Sequence, residues 1–479
     1  MSFRAKLSSK YFIAIVYCIL SFSIVSANSK QESISALFFK PEDVKEFSQS
    51  LAIENIYIGS LDGKTIRPLL GVDAGPSPSG RDLSNPDLTE AYKRIGVNLV
   101  RNHDIYGALD MAIMYADRMK DPANILSYNF RESDMRWKSI VEGGFEPYFR
   151  LGDSWNNARP PANQEELKNW VNASLEVLRH YRLGKWNGFS TKFRYVEIWN
   201  EPDNQQFWQK PHTPLEYFRL YDESAKAIKK YFPEVKVGGP GITQKAFEIP
   251  QGKKWLREFL KYLKQQNSPF DFFSWHIYSN NPQDWLKAGR IYRNELDEMG
   301  YKEVAMHVTE YNTSTRLLEN NLQERLALRT GGKGAAILTA AWIAMQKADV
   351  EEAIFYRGND PAMDEVEFYG LFYANGNPKK VALAFSLWSK LANYPISRNV
   401  SMSSNSKLWV LAGQNEAGKI AVLLANPTES PMRYKINGLN AKKYILQQVS
   451  DLSESVDVKE VIGNEIEIGS YTVQLITLP

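Results

Sequence analysis

Thiols, imidazoles and excess charge are all scarce in this chain of 479 residues. It has one cysteine, Cys18, and five histidines. The histidines show no ligand spacing, so neither a disulfide framework nor a Cys/His metal centre is indicated. Basic residues number 58 and acidic ones 55, a formal net charge of +3. Such a balance gives no electrostatic case for binding nucleic acid or an anionic membrane. A G-x-S-x-G elbow, a P-loop and a dinucleotide fingerprint are absent too, and nothing in the chain calls for a cofactor. Internal repeats and low-complexity tracts are likewise missing.

The longest apolar run, residues 11–25, is short for a membrane span. It follows Arg4, Lys6 and Lys10 and ends in Val25-Ser26-Ala27, the small residues a signal peptidase needs. Residues 1–27 therefore read as a signal peptide, with an uncleaved N-terminal anchor as the alternative. Val16-Tyr17 before Cys18 is no lipoprotein box. Cleavage removes the only cysteine and the three basic residues. The mature chain is then free of thiols, about neutral, not held at a membrane, and secreted or periplasmic.

What the chain does have is aromatic side chains, with 12 Trp and 25 Tyr. They suit stacking on sugar rings, and equally a large ordinary core. Residues 28–66 read as a leader with one strand near 53–58, closed by the turn Leu61-Asp62-Gly63-Lys64. From 67 to 391, strands alternate with helical patterns. The strand candidates are 68–72, 97–101, 146–151, 194–200, 235–239, 270–276, 304–310 and 353–357. Residues 164–181 carry an amphipathic stripe, and 214–232 opens with Thr213 as a cap before a first-turn proline. Eight strands, each followed by helical sequence, predict an α/β fold, a (β/α)8 TIM barrel. From 392 to 479 the period becomes two, and a C-terminal antiparallel β-sandwich is expected, joined by the early strand.

The chemistry concentrates at two strand ends. Tyr195-Val196-Glu197-Ile198-Trp199-Asn200-Glu201-Pro202 is a β-branched and aromatic run stopped by a proline. Met306-His307-Val308-Thr309-Glu310-Tyr311-Asn312 is a strand that again ends in a glutamate, three strands later. The C-terminal rim of such a barrel carries the chemistry. Two carboxylates there are the minimal equipment for glycoside hydrolysis: one protonates the leaving oxygen, and the other attacks the anomeric carbon or activates water. A neighbouring negative charge raises the acid's pKa. Asn200 offers an amide to a sugar 2-hydroxyl. Alternation gives His307 the parity opposite to Glu310, which predicts that it packs toward the helices. Trp155, Trp208 and Trp285 lie near rim loops, as sugar platforms or as caps on the barrel core.

The pattern resembles the clan A retaining glycosidases, and more closely glycoside hydrolase family 39, the β-xylosidase and α-L-iduronidase family. The resemblance runs from about residue 71 to 391 and into the sandwich. It is carried by Val100-Arg101-Asn102-His103-Asp104, the 197–208 segment, Lys236-Val237-Gly238-Gly239-Pro240, Phe272-Phe273-Ser274-Trp275-His276-Ile277-Tyr278 and Thr309-Glu310-Tyr311-Asn312. It implies a retaining enzyme acting on oligo- or polysaccharides, with Glu201 as acid/base and Glu310 as nucleophile. It further implies that Tyr278 hydrogen-bonds the nucleophile, that His276 and His103 contact sugar, and that Arg101 lies beneath Glu310 and keeps it ionised. One departure concerns specificity. Where the family's xylosidases have a Trp-rich strand eight and an acidic segment, this chain has Tyr356-Arg357-Gly358-Asn359-Asp360. Arg357, joined by Arg150 at the end of strand three, is placed to pair with a sugar carboxylate. A uronate or other acidic sugar is therefore an alternative to xylose. Each arginine paired with a loop acid such as Asp153 or Asp360 is the structural alternative. A carbohydrate-binding barrel without catalysis is the alternative outside hydrolysis.

Overall fold

A computed structural model describes residues 53–79, 83–155, 157–363, 367–439 and 443–478. The signal-peptide reading and most of the leader lie outside these residues.

The first strand, β1 (Ile53–Thr65), belongs to the C-terminal sheet. Eight parallel strands then close a barrel: β2 (Gly71–Asp73), β3 (Leu99–Arg101), β4 (Glu146–Leu151), β5 (Tyr195–Ile198), β6 (Lys236–Ile242), β7 (Phe272–Tyr278), β8 (Ala305–Asn312) and β9 (Glu352–Phe355). Pairing of β2 with β9 completes the ring. Nearly every strand residue is buried, as expected for strands covered by helices outside and by each other's side chains within. The helix Pro214–Tyr231 starts where its sequence says it should. Thr213 and Glu216 form a capping box, and Pro214 takes the first turn, where its missing N–H costs nothing.

β8 departs from simple alternation. Trp275 pairs with Val308, but His276 pairs with Glu310, so Thr309 is an extra residue in β8. This bulge corrects the expectation for His307. That side chain does not face the helices; it points into the barrel floor. There it stacks on Phe272 at a centroid distance of 4.3 Å and meets the Tyr148 hydroxyl at 3.0 Å. Without the bulge, Glu310 and His307 could not both point inward.

The remaining strands are β10 (Ile396–Ser401), β11 (Trp409–Gln414), β12 (Ile420–Asn426), β13 (Met432–Asn437), β14 (Lys443–Val449), β15 (Asp457–Ile462), β16 (Glu465–Ile468) and β17 (Thr472–Thr477). With β1 they form one nine-stranded sheet in the order β15-β14-β17-β12-β11-β10-β1-β13-β16. It is antiparallel except where β1 runs parallel to β13. The sheet folds over itself: Tyr434 of β13 donates to Gln474 of β17 at 2.6 Å, enclosing a core that includes Ile56, Val410, Leu424, Ile436 and Leu446. Alternate residues face the other way. Trp409, Leu411, Leu423 and Leu475 join the barrel's core, against the buried helices Gly332–Lys347 and Lys380–Ala392. The period of two thus gives the sheet two buried faces.

Candidate active site

Glu201 lies just past β5, at a turn built from unusual backbone. Trp199 has φ 77° and Glu201 φ 44°, both in the left-handed region. Non-glycine residues there cost roughly 1–2 kcal/mol each, so the surrounding contacts must hold the turn. The Trp199 ring is fully buried, its indole donates to the Phe207 carbonyl at 3.1 Å, and its backbone N–H donates to Leu151 at 2.8 Å. A glycine is required opposite: a side chain at Gly152 would sit 3.0 Å from the Trp199 Cα. The Glu201 N–H donates to Gly241 at 3.0 Å. The turn delivers Asn200 and Glu201 to a cavity of about 550 Å³ at the C-terminal rim, with Glu310 in the same wall.

Oxygens of Glu201 and Glu310 lie within 4.8 Å of each other and of a His276 nitrogen. One donor atom from each is thus close enough for a cation, a cluster that sequence spacing does not reveal. His276 Nδ1 donates to Glu201 at 2.8 Å and lies 3.8 Å from Glu310. Asn204 donates to the other Glu201 oxygen at 2.7 Å. The Tyr278 hydroxyl donates to Glu310. His103 Nε2 is 3.7 Å from Glu310. Asn200 accepts from Arg101 at 2.8 Å, while its own Nδ2 is buried with no protein partner. That leaves an amide donor at the cavity wall.

Beneath the pair lies a charge cluster that sequence reasoning missed in part. Arg101 donates to Glu197 at 2.7 Å and to Asp73 at 3.0 Å, all three fully buried. Glu197 shows its signal only in hindsight, as a charged residue in the middle of an otherwise buried strand. Arg101 is 3.8 Å from Glu310. It lies below the nucleophile as the resemblance implies, but its charge is taken up mainly by Glu197 and Asp73. Arg101 still lowers the Glu310 pKa, but less than burial raises it. Burial first, and the Glu201 charge next among the raising causes, push its carboxyl up to about 7, against His276, Arg101 and Tyr278. Burial also raises Glu201, but the hydrogen bond and charge of His276, with Asn204, bring it below the ordinary carboxyl value. His276 is lowered by burial, yet Glu310 and Glu201 together raise it above the usual imidazole value. In the resting site the proton therefore favours Glu310, which reverses the expectation that proximity raises the acid/base. Burial and the nearby cations, Arg101 first, keep His103 neutral.

The other residues singled out in the sequence divide cleanly. Trp155, 49 % exposed, and Arg357 line the cavity, and Arg357 donates to the Tyr106 hydroxyl at 2.9 Å. Arg150 does not reach it. Its guanidinium is fully buried, 2.6 Å from Asp110, and it also donates to Ser154 at 3.0 Å. The partner is neither Asp153, which lies 3.5 Å from Arg118, nor Asp360, which pairs with Lys379 at 2.6 Å. His276 stands behind Glu201, bonded to its carboxylate, and is not among the residues that line the cavity. Trp208 and Trp285 are buried. Asp104, Tyr106, Phe207, Tyr356, Phe368 and Tyr369 also line the cavity and were not anticipated. They come from rim loops, where no periodicity marks a residue.

A parallel barrel with two glutamates meeting at its C-terminal rim defines a class, the O-glycosyl hydrolases built on the (β/α)8 fold. The profile of "Glycosyl hydrolases family 39" matches residues 74–426, and the chain belongs to that family. It is 24 % identical over 419 residues to a β-xylosidase of Geobacillus stearothermophilus, covering 79 % of this chain and 76 % of that one. It is 26 % identical over 130 residues to the α-L-iduronidase of Mus musculus, covering 26 % of this chain and 19 % of the relative. Among solved structures, a glucosidase from Croceicoccus marinus shares the fold with a TM-score of 0.72 at 22 % identity, over 89 % of this chain and 99 % of that one.

Proposed function

We propose that this glycosidase is a retaining, β-xylosidase-like enzyme that cleaves oligo- or polysaccharides by double displacement. The observation that carries the reading is the separation of the two carboxylates. Oxygens within 4.8 Å fit the ~5–5.5 Å between the carboxyl groups of retaining enzymes better than the ~6.5–9.5 Å of inverting ones. Glu310 attacks the anomeric carbon as Glu201 donates its proton to the departing glycosidic oxygen. The bond from sugar to oxygen breaks and a glycosyl ester to Glu310 forms. Glu201, now a carboxylate, takes a proton from water. The water oxygen displaces Glu310, and the sugar leaves with its anomeric configuration kept.

The reactive state has the proton on Glu201, whereas the empty site favours Glu310. Substrate entry supplies the shift: a glycosidic oxygen against Glu201 accepts from its protonated form and so favours it, while the Tyr278 hydroxyl already in place supports Glu310 as the anion. The unpartnered Asn200 amide supports a hydrogen bond to the 2-hydroxyl that strengthens in the transition state. The similarity to the Geobacillus β-xylosidase over most of both chains favours a neutral pentose. Arg357 in the cavity wall is the observation that favours a uronate-acting second reading, while Arg150, bound to Asp110, no longer contributes to it. The basic and apolar N-terminal segment supports export, to the periplasm or the medium.

Azide separates the two roles. With an activated aryl β-glycoside, Glu201→Ala should be rescued by azide and yield the β-glycosyl azide. Glu310→Ala should yield the α-glycosyl azide. The same product from both variants would refute the assignment.

A further inference from the structure

The cavity wall carries a third carboxylate that double displacement does not use. Asp104 directly follows His103 beyond β3, with φ 51°, a left-handed conformation that aspartate tolerates better than most residues. It is fixed at both ends. Its backbone N–H donates to the Ser154 hydroxyl at 3.1 Å, and its Oδ2 accepts from the Tyr356 hydroxyl at 2.5 Å. Its Oδ1 lies 3.8 Å from His103 Nε2. The same nitrogen is 3.7 Å from Glu310 Oε2. Both gaps are too long for a hydrogen bond. A hydroxyl group entering beside His103 can accept from the imidazole and donate to Asp104, closing the first gap. Asp104 keeps 19 % of its side chain exposed, and it lines the cavity.

Position along the sugar follows from the chemistry. Glu310 must meet the anomeric carbon, and the neighbouring 2-hydroxyl has the free Asn200 amide. Asp104 and Glu310 approach the same His103 nitrogen, at 3.8 and 3.7 Å, which puts Asp104 within the span of one sugar ring from the nucleophile, in reach of hydroxyls beyond the 2-hydroxyl. Its charge also shares the wall with Arg357, because the adjacent Tyr356 ties it there. A substrate carboxylate approaching Arg357 would therefore also face an anion.

We propose that Asp104 is a specificity-determining residue of this site: it accepts a hydrogen bond from the sugar's 3- or 4-hydroxyl and disfavours substrates with an acidic group at that place. The proposal rests on the glycosidase reading above. The test compares wild type, Asp104→Asn and Asp104→Ala on 4-nitrophenyl β-xyloside, its 3-deoxy and 4-deoxy analogues, and 4-nitrophenyl β-glucuronide.

Loss of a hydrogen bond to a charged group should lower kcat/KM on the xyloside by about 10- to 100-fold in both variants. Removing the matching hydroxyl should cost wild type a similar factor and cost the variants less than about threefold, because the partner is already gone. The glucuronide-to-xyloside ratio should rise at least about tenfold in Asp104→Asn. Should Asp104→Ala fail to fold, the isosteric Asp104→Asn carries the same comparison. Equal losses on the xyloside and on both deoxy analogues would make the role structural and overturn the proposal. So would an unchanged Asp104→Asn, or a wild type that prefers the glucuronide. In each of those cases the glycosidase reading survives. No wild-type turnover on any of the four glycosides would sink both.

Discussion

The floor and the rim of the barrel both bury histidine, and they use it differently. At the floor, His307 lies in an aromatic stack on Phe272, with the Tyr148 hydroxyl as its partner. At the rim, His276 lies between two glutamates, bonded to Glu201 at 2.8 Å and 3.8 Å from Glu310. Burial is essentially complete for both rings. Both rings have carboxylate neighbours, since His307 also lies 3.7 Å from Glu351; what separates packing from chemistry is the place, because only the pair beside His276 opens on the cavity. The same contrast separates the two arginines singled out in the sequence. Arg101 reaches across the cluster to Asn200 and lies within 3.8 Å of Glu310, while Arg150 is closed off by Asp110.

The comparison breaks most visibly at Glu310. Glu310→Ala should lower kcat by about 10⁵-fold with the fold intact, checked by steady-state kinetics beside circular dichroism. At the same rim but outside the cavity wall, Arg150→Met should leave the relative rates on neutral and acidic glycosides unchanged. It leaves Asp110 buried without its counter-charge, held by Ser154 and Asn157 alone, so stability should fall by about 3 kcal/mol in urea unfolding. If substrate preference changed instead, Arg150 would belong to the site after all.

His276→Asn removes the imidazole bonded to Glu201. It should cost about 10²-fold in kcat/KM, the low end for disturbing a general acid, and should move the pH profile. The sign of that profile follows from the pair. Glu310 is raised to about 7, so the two carboxyls keep one proton below that pH and lose it above. Turnover needs that proton, so kcat/KM should fall as the pH rises through about 7. A profile flat to pH 9 would contradict the shared proton. His307→Phe should have the smallest effect. It leaves the Tyr148 hydroxyl unpaired, at about 1–3 kcal/mol of stability, and leaves kcat unchanged.

Much of this contrast was legible in the sequence where local rules hold. The run into Asn200-Glu201-Pro202 marks its strand end, because a proline stops a ladder that β-branched residues favour. Glu310 was likewise placed by its strand end, and Tyr278 by the resemblance to the family. His307 was not, because one extra residue, Thr309, shifts the alternation, and no propensity announces a bulge. Arg150 was misread because its partner, Asp110, comes from a loop 40 positions away that has no period of its own. β15 is hard to read from sequence for another reason. The edge strand β15 buries none of its residues fully, so it lacks the pattern by which strands are recognised.

The central claim is that two carboxylates this close retain configuration. Proton NMR of the first sugar released from an aryl β-xyloside, followed before mutarotation, tests it directly. The account predicts that the β-anomer appears first and the α-anomer only later; prompt α-anomer would contradict it.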